Sequence, residues 1–155
     1  MADTGKNAET VAVLRTVCNI LEDGHKGFAH IGEHLKDETL KRYFMAESLK
    51  REQFKGDLEA ELHRQGISDV DESGTTAGAL HRTWGELKAN VLGVSDHELL
   101  ATAEQGEDAA KKAYAEALKA ELPLPVHQML STQQAHVITA HDYVRNNRDA
   151  LAKAA

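Results

Sequence analysis

The sequence predicts an all-α protein, a four-helix bundle with one further helix in a long middle crossover. Three observations carry this. Apolar residues recur at steps of three and four along most of the 155 residues. Only two prolines interrupt them, in a chain rich in the helix formers Ala, Glu, Lys and Leu. No stretch shows the two-residue alternation of a strand.

The first helix carries Leu14, Val17, Leu21, Gly24, Phe28, Ile31 and Leu35 on one stripe. Asp37 reads as the N-cap of the second, whose stripe is Leu40, Phe44, Glu47, Arg51, Phe54 and Leu58. His63 and Arg64 followed by Gly66 give its stop signal. A polar connector from Ser68 to Gly74 leads to a shorter helix over about 77–92, with Leu80, Trp84, Leu87 and Val91. Ser95 and Glu98 form a capping box for the next stripe, Leu100, Ala103, Glu107, Ala110, Tyr114 and Ala117. Pro123 and Pro125 mark a tight turn, Pro125 suiting the first position of the last helix. That helix shows Val126, Leu130, Gln133, Val137, Ala140, Val144 and Leu151.

Short loops make the first pair and the last pair of long helices antiparallel. The crossover helix, at ~1.5 Å per residue, is about as long as a bundle and lets the second and third long helices run parallel. The expected architecture is the up-down-down-up order of ferritin-like bundles, with residues 1–155 as a single domain.

Charge and composition narrow the function classes. A formal charge of −7 argues against nucleic acid and anionic membrane as partners. No segment reaches the ~18 uncharged apolar residues of a membrane span. No apolar stretch follows the opening Met1–Lys6, so no secretory signal is expected. Cys18 is the only cysteine, which excludes an internal disulfide and fits a reducing cytoplasm. It reads as a small buried hydrophobe. The acidic run Asp69–Glu72 lacks the calcium-loop pattern, and no phosphate loop or nucleophile motif is present.

The chemistry-bearing feature is charge on apolar stripes. Glu47, Arg51 and Glu107 sit where core residues are expected, and charges there must pair, bind an ion or react. Counting from the turns places Asp23 beside Arg51, and Glu107 beside Ala140 and His141. A parallel start puts Arg51 level with Asp108 and next to Glu107. Asp23, Arg51, Glu107 and His141 therefore share one slab, and Glu47 and Glu104 a second one turn away. Gly24 and Gly27 thin the first helix and would let Arg51 reach Asp23. His136 and His141 flank opposite sides of the last stripe.

The leading expectation is a structural network, Arg51 bridging Asp23 and Glu107 with His141 adding a bond. The alternative is a metal-binding protein or oxidase, with a site for iron or another divalent ion built from Glu47, Glu104, Glu107, His136 and His141. A di-iron centre needs two Glu-x-x-His motifs. The candidates fail at one ligand each, Lys50 replacing His in the first and Gln133 replacing Glu in the second. Otherwise no cofactor is expected. His25, His30 and His34 read as half-buried, with spacings that could recruit a surface metal. The crossover stripe with Trp84 could cover the bundle or join two copies into a homodimer.

The run Leu21-Glu22-Asp23-Gly24-His25-Lys26-Gly27-Phe28 resembles the first-helix signature of a bacterial, mainly proteobacterial, group of ferritin-like four-helix-bundle proteins classed as a domain of unknown function. Arg51 to Phe54 with Leu58, Ala79 to Trp84, and Glu104 to Asp108 with Tyr114 are similar to it as well. The resemblance runs from about Val11 to Leu151. It implies the ferritin-like fold and a bacterial cytoplasmic protein, and places Asp23, Arg51, Glu107 and His141 at the group's polar signature positions. It implies no activity. The function expected is structural or stress-associated, without catalysis.

Overall fold

The computed structural model describes residues 4–66, Trp84 and residues 93–154. Their regular structure is entirely helical: α1 (Thr4–His34), α2 (Glu38–Arg64), α3 (Asp96–Ala117) and α4 (Leu124–Ala154). The expected connector and crossover helix lie outside the described residues, apart from Trp84.

Local chemistry sets the helix ends. Asp37 Oδ1 accepts from the Leu40 amide at 2.9 Å, and Ser95 Oγ accepts from the Glu98 amide at 3.2 Å. Gly66 and Gly93 take φ of 86° and 83°, a left-handed conformation that a Cβ would strain. α4 begins one residue earlier than its proline suggests. Pro123 O accepts the first helical bond, from His127 N at 3.0 Å, and Pro125 falls inside the first turn. The missing Pro125 N–H costs nothing there, because first-turn amides have no partner within the helix.

α1 packs against both α2 and α3, and α4 against α3 and more lightly α2. The Asp96 carboxylate accepts from the Lys36 and Asp37 amides at 2.9 and 3.0 Å. The start of α3 is thereby tied to the turn where α2 begins.

The core is two apolar clusters. One holds Leu14, Leu21, Phe54, Leu58, Ala110, Tyr114, Leu130 and Val137. The other holds Phe28, Phe44, Trp84, Leu100, Ala103 and Val144. In each helix the boundary falls at buried polar residues: Asp23 between Leu21 and Phe28, Glu47 and Arg51 between Phe44 and Phe54, Glu107 between Ala103 and Ala110, and His141 between Val137 and Val144.

Two glycines serve a purpose the sequence did not disclose. A Cβ on Gly27 or on Gly106 would lie 2.1 Å from the Trp84 ring. The indole is thus wedged between α1 and α3, its centroid 5.5 Å from that of Phe28. Gly24, by contrast, faces Arg51 at ordinary contact distance, 3.5 Å from a built Cβ to Nη1.

Candidate functional site: a buried charge layer and its flank

Arg51 is the largest fully buried side chain among the described residues, 1% exposed. It reaches across the bundle from α2 to α3. Nη1 donates to Glu107 Oε1 at 2.7 Å and Nη2 to Oε2 at 2.6 Å. This two-pronged match of guanidinium and carboxylate is the strong form of the charged hydrogen bond. The Phe28 ring lies 4.9 Å from the Arg51 Cζ and adds a cation–π contact. Glu47, one turn before Arg51, is 3.8 Å from Nε, and the His136 Nε2 bonds the Glu47 carboxylate from α4. The closed layer is thus Arg51, Glu107, Glu47 and His136.

Burial and pairing oppose each other here. Complete burial pushes the Glu107 carboxyl upward, against the lowering pull of Arg51. Burial also disfavours the charged Arg51, but the Glu107 carboxylate outweighs it and the guanidinium is held more firmly protonated. Below the layer, the Tyr114 hydroxyl donates to Gln133 Oε1 at 2.8 Å. Burial pushes both Tyr43 and Tyr114 upward, so neither is a phenolate source near neutral pH.

The four residues of the expected network do not form one cluster. Arg51 and Glu107 meet directly. Asp23 is buried at their level, 5% exposed, but both hydrogen bonds of the guanidinium go to Glu107. His141 is buried too and near enough to act on the Glu107 charge, yet the carboxylates at its Nε2 are others. Its Nε2 is 2.8 Å from Asp108 Oδ1 and 3.8 Å from Glu104 Oε1. Its Nδ1 donates to Asp142 Oδ1 at 3.1 Å. Arg148 bonds Glu104. Asp142, beside the ring and Arg145, is held below the usual carboxylate range. Asp142 and Arg148 escaped the sequence reading. The spacing His141 to Arg148, two helical turns on one face, was their only signal.

The five residues of the metal alternative are likewise divided. Glu47 and Glu107 are engaged by Arg51 and His136, while Glu104 and His141 lie on the flank. A dinuclear carboxylate centre does not fit this core. Lys50 and Gln133 stand at two of its motif positions, Gln133 holds a tyrosine, and a fixed guanidinium fills the middle. Among the other histidines, His25 is tied to α2, its Nδ1 donating to Ser48 Oγ at 2.9 Å. His30, Glu33 and His34 gather on one face of α1 with ligand atoms within 4.8 Å of one another. Cys18 is a buried free thiol. No helix among the described residues is long and apolar enough to cross a membrane.

Residues 9–120 match the family described as a domain of unknown function, DUF2383. The match takes in most of α1, all of α2 and α3 and the segment between them, and includes Asp23, Glu47, Arg51, Glu104 and Glu107. It ends before α4, so both His136 and His141 lie beyond it. No curated protein matches the chain. The chain belongs to the DUF2383 family.

Proposed function

We propose that this family member is a non-catalytic, ferritin-like bundle of up-down-down-up order, acting in a structural or stress-associated role through its surface. In this reading, a bacterial cytoplasm is its compartment. The order is supported by Asp96, which anchors the start of α3 at the α1–α2 turn.

The observation that carries the reading is the two-pronged Arg51–Glu107 bond between two fully buried side chains. It joins opposite corners of the bundle and commits both Glu107 oxygens and both Nη groups to each other. A catalytic acid, base or ligand needs a reactive atom facing a substrate, and the bonded atoms of this pair face each other at 1% and 0% exposure. Taking two charges out of water offsets much of their mutual attraction, so the pair adds little net stability. Its benefit is register. Slipping α2 against α3 by one turn would leave both charges opposite apolar side chains.

The test is the double variant Arg51→Met/Glu107→Leu, followed by melting and by amide NMR spectra. The expected result is a folded protein with unchanged or raised melting temperature and multiple or broadened signals. A single sharp spectrum matching that of the unmodified protein would overturn the register role. Turnover of any substrate that is lost in Glu107→Ala would overturn the non-catalytic reading.

A further inference from the structure

The flank of the charge layer differs in kind from its centre. We propose that Glu104, Asp108 and His141 form a site for a single divalent transition-metal ion, bound between α3 and α4. The proposal is independent of the structural role assigned to Arg51 and Glu107.

Three observations converge. The first is the set of donors. Glu104 and Asp108 stand one turn apart on α3, His141 faces them from α4, and one ligand atom from each lies within 4.8 Å of the others. Ligands of a tetrahedral ion with bonds of about 2.1 Å lie roughly 3.4 Å apart. The Nε2 separations of 2.8 and 3.8 Å bracket that value.

The second is the orientation of the imidazole. Its side chain is only 5% exposed. Its Nε2 is buried without a hydrogen-bond partner among the described residues, since Asp108 Oδ1 lies near it but off the direction of a ring N–H. A buried nitrogen aimed between two carboxylates and hydrogen-bonded to neither is placed for a cation held by all three.

The third is Asp142. It accepts from Nδ1 at 3.1 Å, which fixes the ring and leaves the Nε2 lone pair for the ion. This carboxylate–histidine–metal relay raises ligand basicity and sets the tautomer.

The chemistry selects the class of ion. One imidazole with two carboxylates suits Zn²⁺, Co²⁺, Mn²⁺ or Fe²⁺ and is unlike the all-oxygen shells of Mg²⁺ and Ca²⁺. Asp108, 60% exposed, opens the site to solvent. Arg148 is the resident competitor, its guanidinium paired with Glu104, and the arriving ion displaces it. The His30, Glu33 and His34 group is the weaker rival, because all its donors lie on one helix.

Chelator-treated protein titrated with Zn²⁺ by calorimetry, and with Co²⁺ by visible absorption, tests the assignment. One ion per chain is expected. Asp108→Asn and His141→Gln should each abolish binding, and Asp142→Ala should weaken it about 10- to 100-fold. Arg148→Met should tighten it, a gain that loss of structure cannot mimic. Melting in chelator checks that each variant folds, and the exposed Asp108 remains informative if His141→Gln does not. Absence of Zn²⁺ heat and of a Co²⁺ band would overturn the proposal. So would binding that survives Asp108→Asn and disappears in His30→Gln.

Discussion

Two clusters of charge lie within a turn of each other on α3, and they are opposites. In the centre, Arg51 and Glu107 exhaust each other: two short parallel bonds, exposures of 1% and 0%, and an aromatic face against the cation. On the flank, His141 faces Asp108 and Glu104 without a completed bond at Nε2, and one carboxylate is open to water. With Glu47 and His136 counted in the centre and Arg148 on the flank, each cluster combines carboxylates, a histidine and an arginine. Access to solvent and the presence of a matched fork decide which cluster is closed and which can still accept a partner.

The largest expected effects test the closed centre. Arg51→Ala strands two buried carboxylates and leaves a cavity, and should destabilise by about 3–5 kcal/mol in denaturant unfolding. Arg51→Met fills the space and should cost at least about 1 kcal/mol less. Equal, negligible losses would show that the centre is not sealed. His136→Ala removes a donor from buried Glu47 and should cost about 1–2 kcal/mol in the same assay.

The flank should respond far less. Without metal, Asp108→Asn should change stability by no more than about 0.5 kcal/mol, since it removes an exposed charge. A loss as large as that of His136→Ala would make the flank a structural pair and erase the contrast.

Titration gives the finest discrimination. Carboxyl NMR signals should place Glu107 above its usual value of 4.5 and Asp142 below its usual 3.8. The linked stabilities then run in opposite senses. The folded form binds the Glu107 proton more tightly, so that contribution is full below the usual value and lost as pH rises through the folded one. Asp142 contributes above its usual value, and its contribution is lost as pH falls through the lowered one. Shifts of the same sign would mean that one environment governs both.

Much of the centre was legible in the sequence. Glu47, Arg51 and Glu107 fall on the stripes that carry Phe44, Phe54, Ala103 and Ala110, and helical periodicity turns all of them inward together. Counting residues from the turns fixed their heights. Partner choice was not legible, because it depends on helix rotation and on the reach of long side chains. Arg51 lies level with Asp23, yet its fork closes on Glu107 across the bundle. His136 and His141, five residues apart, point about 140° from each other around α4. They therefore serve different neighbours, α2 and α3. Gly106 gave no sign of its role, and Gly27, read as making room for Arg51, instead faces Trp84, whose height no turn fixes by counting.

That wedge orders what mutation can do to this molecule. With the indole in place, neither glycine tolerates even a methyl group, so the three positions behave as one unit. Change has to begin with a smaller ring or none at 84, and only afterwards can either helix gain a side chain. The order of those changes is set by the thickness of a single aromatic plate.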